Sequence, residues 1–147
     1  MRIESETTVN RPRAEVFDYI AHGERLPEYV TEFAWVKQMT DGEPALGTEY
    51  SYKMARGQAE GTFDWTQFEP ASRLAWHGPP AKAGPGTMEP SGHWELSDAD
   101  GGSTRVKLVM EPKPGGLFKL MAPFMAMGMR KGNAQALERL KQKLETA

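Results

Sequence analysis

The chain has 147 residues, a length that suits one domain around one hydrophobic core. Its hydrophobic fraction of 39% and charged fraction of 26% are typical of a globular protein. The 18 basic residues are balanced by 20 acidic residues and form no basic run, which argues against nucleic acid as a partner, and the absence of cysteine excludes disulfides and thiolate chemistry.

The N-terminal residues lack the continuous apolar segment of an export signal. The most apolar segment, residues 117–129, is interrupted by Lys119, Pro123 and Gly128 and is far shorter than the roughly 20 residues that span a bilayer. We therefore expect a cytoplasmic protein without stable membrane insertion, folded as a single domain over residues 1–147.

The first elements in chain order are a strand and two short helices. Polar and apolar residues alternate over residues 2–9, which predicts a half-buried strand. Residues 10–12 provide a cap-like asparagine and a proline suited to a first helical turn, and helical spacing follows over residues 16–20. A second short helix is predicted over residues 26–30, before an extended segment at residues 33–37.

The middle of the chain reads as strands joined by turns rich in Gly, Pro and Asp. The predicted strands are residues 48–55, 58–68, 73–77, 91–97 and 104–111. The exception is residues 78–90, whose four prolines and three glycines predict a loop without regular structure. Such a loop is a candidate gate for a cavity.

After residues 112–116 the chain is predicted to be helical to its end, with Pro123 kinking or restarting the helix. At helical spacing, the apolar residues and one asparagine fall on a single face that we expect to cover the sheet. This face comprises Phe118, Ala122, Met125, Ala126, Met129, Asn133, Ala136, Leu137, Leu140 and Leu144.

Several short sequence segments resemble those of the START-like (SRPBCC) superfamily, in its polyketide cyclase/dehydrase and lipid transport branch. These segments are Val9-Asn10-Arg11-Pro12, Phe68-Glu69-Pro70, Arg73-Leu74-Ala75-Trp76, Trp94-Glu95-Leu96 and Leu137-Glu138-Arg139-Leu140-Lys141. The resemblance implies an α+β helix-grip fold, in which a curved antiparallel seven-stranded sheet wraps around a long C-terminal helix, with two short helices after strand 1. It also implies an internal cavity, which in this superfamily binds lipids, sterols, hormones or polyketides.

Strand alternation and the helix face predict an aromatic and methionine-rich lining for that cavity. Plain core packing would explain any one of these residues, and only as a set, beside the resemblance, do they favour a cavity wall. The set comprises Tyr50, Tyr52, Met54, Phe63, Trp65, Trp94, Met125 and Met129.

Two histidines flank the predicted loop at residues 78–90. His77 ends one strand and His93 begins the next, and either could act as a general base or join Asp64 or Glu95 at a metal. Alternation places His93 opposite Trp94, on the solvent side. Because the chain has no His-Glu-x-x-His motif, we predict no metal and no cofactor.

Asn133 is the polar residue on the predicted inward helix face. A buried amide needs a hydrogen-bond partner, which is a strand side chain, a water or a polar group of a ligand. Arg130, at the edge of the same face, pairs with an acidic ligand or extends into solvent.

The leading hypothesis is a protein that binds a small hydrophobic or aromatic metabolite, lipid- or polyketide-like, with polar contacts from Tyr50, Tyr52, Trp65, His77 and Asn133. The first alternative is a cofactor-independent polyketide cyclase, aromatase or dehydratase in which His77 or Tyr52 moves a proton. The second is a protein-interaction module, such as a homodimer, that uses residues 117–129. Residues 78–90 and 115–124 are predicted to form the mouth of the cavity.

Overall fold

The computed structural model describes residues 1–57 and 59–147. Ten strands are present among these residues: β1 (Ile3–Val9), β2 (Phe33–Gln38), β3 (Glu49–Met54), β4 (Glu60–Glu69), β5 (Arg73–His77), β6 (Ala81–Ala83), β7 (Gly86–Glu89), β8 (Ser91–Asp98), β9 (Thr104–Met110) and β10 (Lys113–Gly116). The helices are α1 (Arg13–Ala21), a 3-10 helix (Gly23–Glu28), a 3-10 turn (Asp100–Gly102) and α2 (Phe118–Glu145).

Seven strands form one antiparallel sheet in the order β1-β9-β8-β5-β4-β3-β2. Most neighbours are consecutive hairpins, whereas β1 joins the far edge by pairing with β9, Ile3 opposite Met110. The predicted α+β helix-grip architecture is confirmed. The strand predicted over residues 58–68 runs from Glu60 to Glu69, and Gln58 lies outside the described residues.

The C-terminal part of α2 packs against the concave face of the sheet. The predicted inward face is confirmed there, since Asn133, Ala136, Leu137, Leu140 and Leu144 are all buried. Burying each leucine side chain stabilises the fold by about 1.5–3 kcal/mol. Hydrogen bonds fasten the end of α2 to β1 and to the turn after it: Lys141 Nζ donates to the Thr8 carbonyl (2.6 Å), and the backbone N–H of Asn10 donates to the Glu145 carboxylate (2.8 Å).

The helix α1 closes one end of the concave face. Its buried side chains follow helical spacing, and Phe17 packs edge to face on Phe68 of β4, with 5.1 Å between ring centroids. The Arg13 guanidinium donates to the Ala71 carbonyl in the β4–β5 turn (2.7 Å). Asn10 does not cap α1, because Pro12 occupies the N-cap position and its carbonyl accepts the first helical hydrogen bonds.

The prediction that residues 78–90 lack regular structure is wrong. This segment contains β6 and β7, which form a second, three-stranded sheet with β10 in the order β10-β7-β6. The prolines do not prevent pairing because each lies outside the two strands, and Gly84, with a φ of +57°, provides the left-handed residue of the turn between them.

The small sheet lies against the start of α2. A Cβ at Gly86 would stand 2.6 Å from the Gly115 carbonyl oxygen and 2.9 Å from the Phe118 ring, so only glycine fits at this approach. The helix α2 runs continuously past Pro123 and does not restart there. In the part of the chain that the structure describes, none of the helices is both long enough and apolar enough to span a bilayer.

Candidate functional site

An aromatic cluster occupies the concave face of β3 and β4. Tyr50 stacks on Phe63 with ring centroids 5.1 Å apart, and Trp65 lies 5.4 Å from Tyr50 and 5.5 Å from Phe63. All three side chains are buried, as strand alternation predicts. Such ring contacts each contribute about 0.5–1.5 kcal/mol beyond area burial, so the cluster is a packed part of the wall.

The polar side-chain atoms of Tyr50 and Trp65 form hydrogen bonds with the backbone at the end of α1. The Tyr50 hydroxyl and the Trp65 indole N–H both donate to the Ala21 carbonyl at 3.1 Å, and the Gly23 N–H donates to the Tyr50 hydroxyl at 3.3 Å. Carbonyls at a helix C-terminus lack intrahelical partners, and these side chains supply them. The Tyr50 hydroxyl and the Trp65 indole N–H, predicted as polar contacts of a ligand, therefore have hydrogen-bond partners within the fold. Their rings form part of the apolar wall of the concave face.

Tyr52 lies on the same face, nearer the free end of β3. Its ring packs on Phe33 with centroids 5.6 Å apart, and its hydroxyl lies over Gly61, where a Cβ would stand 2.6 Å from it. Burial raises the pKa of the Tyr52 hydroxyl. The hydroxyl is therefore protonated at neutral pH and can donate a hydrogen bond.

The concave face is closed at the α1 end and open at the small-sheet end. At the closed end, Trp94 and the apolar side chains around it are buried. At the other end the inward residues are only partly buried: Phe33, Met54, Trp76 and Met110. Met125 and Met129 of α2 are also partly exposed. These partly buried apolar side chains, on the strand ends and on the N-terminal half of α2, form the apolar surface that we call the groove.

Buried hydrogen-bond donors without partners occur in this interior. Among the described residues, the buried side-chain atoms that make no hydrogen bond are Tyr29 Oη, Asn133 Nδ2 and Arg139 Nη1. Tyr29 is fully buried at the end of the 3-10 helix, and its ring packs edge-on against Trp94 at 6.3 Å. A buried polar atom without a partner costs about 1–3 kcal/mol, so such atoms indicate a missing acceptor.

Burial raises the pKa of the Tyr29 hydroxyl far above its ordinary value, which keeps it protonated. Tyr29 was not predicted as a site residue. The sequence places it only at the end of a short helix, where a tyrosine usually extends its hydroxyl to solvent. Its pairing with Trp94, which is far away in the sequence, turns it inward.

His77 lies on the outer side of the main sheet, opposite the face that carries the aromatic cluster. It stands opposite Asp64 on β4, its side chain is half exposed, and its Nε2 lies 3.1 Å from a carboxylate oxygen of Glu89 on β7. Because its neighbour Trp76 points into the core, alternation turns His77 to the outer side of the sheet. Its contact with Glu89 joins the main sheet to the small sheet.

His93 is on the outer face, as alternation predicts, but it is buried rather than solvated. The register places it between Ala75 and Val109, and its Nε2 lies 2.7 Å from a carboxylate oxygen of Glu95. This hydrogen bond lowers the pKa of Glu95. Within residues 1–57 and 59–147, no group of three acidic or histidine side chains is placed to hold a metal ion.

Two surface pockets lie away from the groove. One, of about 280 Å³, is formed by α1, residues 43–44 and the β4–β5 turn, with an apolar floor that includes Phe17 and Phe68. The other, of about 180 Å³, lies on the outer face around Arg73 and Arg105. Neither pocket contains a residue predicted for the site.

Comparison with known proteins relates the chain to one family. A family model described as polyketide cyclase / dehydrase and lipid transport matches residues 1–145. Among curated proteins, none matches the chain.

Solved structures share the fold at low sequence identity. TTHA0849 from Thermus thermophilus superposes with a TM-score of 0.79 at 15% identity, covering 98% of this chain and 97% of that one. The Zhui aromatase/cyclase from Streptomyces sp. R1128 gives a TM-score of 0.77 at 14% identity, with 99% and 93% covered. The di-domain ARO/CYC BexL, from the BE-7585A biosynthetic pathway, gives 0.72 at 19%, and the match covers 99% of this chain but only 46% of BexL. At such identities the likeness shows the fold alone.

Proposed function

The chain belongs to the polyketide cyclase/dehydrase and lipid transport family, and from this premise we propose that it binds a small hydrophobic or aromatic metabolite, lipid- or polyketide-like, in the groove between its sheet and α2. A cytoplasmic location is part of the proposal. The groove has the composition of a ligand site, an apolar wall with few polar groups.

The observation that carries the proposal is that Tyr29 Oη and Asn133 Nδ2 are buried donors without partners in the interior between the sheet and α2, so that the proposed ligand extends inward from the groove to reach them. Both can donate a hydrogen bond, and the hydroxyl stays protonated because burial raises its pKa. Their complement is an acceptor on an otherwise apolar molecule, such as a ketone, ester or amide oxygen. This supports a ligand that carries carbonyl groups rather than a pure hydrocarbon.

The wall of the groove supports the same class of ligand. Flat rings and flexible thioethers adapt to planar or irregular apolar shapes. The residues proposed as wall are Tyr52, Met54, Phe63, Trp94, Met125 and Met129, while Tyr50 and Trp65 hold the closed end through the Ala21 carbonyl.

The alternative is a cofactor-independent cyclase, aromatase or dehydratase, and the described residues favour binding over turnover. General acid–base catalysis needs a group whose pKa lies near the working pH. The buried tyrosines of the interior have raised pKa values, and His77 stands on the outer side of the sheet. A cyclase here would have to act by positioning the chain and by polarising a carbonyl through Tyr29 and Asn133.

The proposal is tested with prodan, a fluorescent naphthalene ketone, and with dimethylaminonaphthalene, which lacks the ketone. We expect one saturable prodan site, weakened about two- to tenfold in each of Tyr29→Phe and Asn133→Leu, since each removes a hydrogen bond worth about 0.5–1.5 kcal/mol. The ketone-free probe should bind both variants as it binds the wild type.

Tyr19→Phe is the matched control, because the Tyr19 hydroxyl is bonded to Glu28 outside the groove (2.8 Å). Equal prodan affinity in all three folded variants would remove Tyr29 and Asn133 from the site. To separate binding from turnover, cyclisation of a poly-β-carbonyl thioester is followed with and without the protein, and an acceleration that disappears in Tyr29→Phe would support the cyclase alternative.

A further inference from the structure

The N-terminal half of α2 carries a second apolar face, directed to solvent. Leu120 and Phe124 are each 77% exposed and Met127 is 67% exposed, with Leu117 and Met121 beside them. These residues follow one another at helical spacing and form one stripe, on the side of α2 opposite Met125 and Met129. Monomeric proteins rarely leave such a contiguous apolar surface open to water unless it serves binding.

The segment that carries this stripe has only basic charged side chains, while Glu89 lies 4.0 Å from Lys113 and the Glu32 carboxylate lies beside Gly132. From residue 112 to residue 137 the chain contains no acidic residue, whereas Lys113, Lys119, Arg130 and Lys131 are all basic and exposed. The whole chain, in contrast, has a net charge of -2. Lys119 and Arg130 lie on the same flank of α2, and Lys131 continues the line of the stripe.

We propose that this face docks on an anionic lipid bilayer. Apolar side chains in a helical stripe enter the headgroup boundary, and neighbouring lysines and arginines are attracted to anionic headgroups. A second copy of the chain fits less well, because it would bring two segments of the same net positive charge together.

The apolar face lies beside the open end of the groove. The stripe lies on the helix half that roofs the open end of the groove, next to the small sheet against which Phe118 packs. A bilayer in contact with this half of α2 lies beside the groove mouth, so an apolar ligand can pass between lipid and protein without crossing water. The docking is a surface property, separate from the affinity of the groove itself.

The experiment is co-sedimentation of the purified protein with vesicles of equimolar phosphatidylcholine and phosphatidylserine, and with vesicles of phosphatidylcholine alone. The protein should partition onto the mixed vesicles, and less so at high salt because exposed charges are screened. The double variant Leu120→Ser/Phe124→Ser should lower the partition coefficient at least about tenfold. Lys131→Glu, which reverses the charge on the line of the stripe, should lower it at least about fivefold, since one basic residue near the surface contributes roughly fivefold.

Matched controls come from exposed residues elsewhere. Leu46→Ser removes a leucine that is 68% exposed, and Lys37→Glu reverses an exposed charge on β2, and both should bind vesicles as the wild type does. Prodan titration without vesicles measures the affinity of the groove separately. The α2 variants should bind prodan with the affinity of the wild type.

Three results would overturn the inference. The first is no sedimentation with either vesicle, which would leave the face to an acidic protein partner. The second is a loss in Leu46→Ser or Lys37→Glu as large as that in the α2 variants. The third is a wild-type dimer in solution that Leu120→Ser/Phe124→Ser converts to monomer, which would assign the face to a second copy.

Discussion

The Ala21 carbonyl and the Tyr29 hydroxyl lie in the same interior but differ in their hydrogen bonding. Ala21 accepts hydrogen bonds from both Tyr50 and Trp65, so the last turn of α1 is fixed to β3 and β4. Tyr29 is as deeply buried, and its hydroxyl has no partner among the described residues. The first arrangement contributes stability, and the second costs stability in the absence of a ligand.

Removing the Tyr29 hydroxyl should therefore stabilise the protein without ligand. We expect Tyr29→Phe to raise the free energy of unfolding by about 1 kcal/mol, because it keeps the ring and removes an unpaired buried group. Tyr50→Phe should lower it by about 1–3 kcal/mol, since the Gly23 N–H loses its acceptor. Urea unfolding of both variants provides the measurement, and a loss of stability in Tyr29→Phe would mean that its hydroxyl is satisfied in solution.

The Glu95 carboxylate should make stability depend on pH in the acid range. Its pKa is lowered from an ordinary value of 4.5, chiefly by the hydrogen bond with His93 and further by Arg73 and Lys107. A lowered pKa in the folded state stabilises the protein above the unfolded pKa, and this stabilisation disappears as the pH falls through the folded pKa. The stability difference between pH 7 and pH 3 should accordingly be smaller in Glu95→Gln than in the wild type.

Urea unfolding at both pH values measures this difference. The control is Glu138→Gln, at an exposed position of α2 for which the described chain shows no ion pair, and it should behave as the wild type. An unchanged difference in Glu95→Gln would mean that the contact with His93 does not persist in solution.

At the scale of elements, α2 has two halves with different roles. Its C-terminal half supplies the buried leucines of the core and is fastened to β1 and to the turn after it. Its N-terminal half stands over the open end of the groove, partly exposed on its inward side and strongly exposed on the other. One continuous helix thus combines a buried structural segment with an exposed apolar segment, to which the proposed ligand and lipid contacts are assigned.

Truncations in the two halves of α2 should have very different costs. We expect Leu140→Ala, at a fully buried position, to lower the free energy of unfolding by about 2–5 kcal/mol through lost burial and a residual cavity. Met127→Ala, at a position that is 67% exposed, should change it by no more than about 0.5 kcal/mol. Chemical denaturation compares them, and similar costs would show that the N-terminal half is packed in solution.

For the whole molecule, the two segments predicted to form the mouth are one structural unit. β7 in the segment 78–90 pairs with β10, β10 leads directly into α2, and Gly86 lies against Phe118. The contact between His77 and Glu89 and the packing of Gly78 under Thr62 attach this unit to the main sheet. If the mouth opens, the small sheet and the start of α2 should move together.

Hydrogen exchange can detect this motion. We expect backbone amides in residues 81–89 and 113–124 to exchange faster than those in residues 137–144, and to become protected together when prodan binds, because local opening involves the least buried part of a fold. Residues 3–9 of β1, paired along their whole length with β9, serve as an internal reference. Equal protection throughout, unchanged by a probe that binds, would exclude the gate and leave a static groove.

Local pattern by itself determined the strands of the main sheet, the inward face of α2 and the aromatic set on β3 and β4. Period-two alternation and helical spacing are properties of neighbouring residues, and burial follows them wherever one face meets a single core. The same logic placed His93 on the outer face, although it could not show that Ala75, Val109 and Glu95 surround it there.

Only the tertiary structure decided the features that depend on partners distant in the sequence. The strands at residues 81–89 form because β7 pairs with both β6 and β10, and the prolines that argued against strands lie outside β6 and β7. His77 is drawn outward to Glu89, while Tyr29 is turned inward against Trp94 without an acceptor for its hydroxyl. Hydrogen-bond satisfaction is a property of the assembled interior, so the lack of an acceptor for Tyr29 among the described residues could not be inferred from the order of residues.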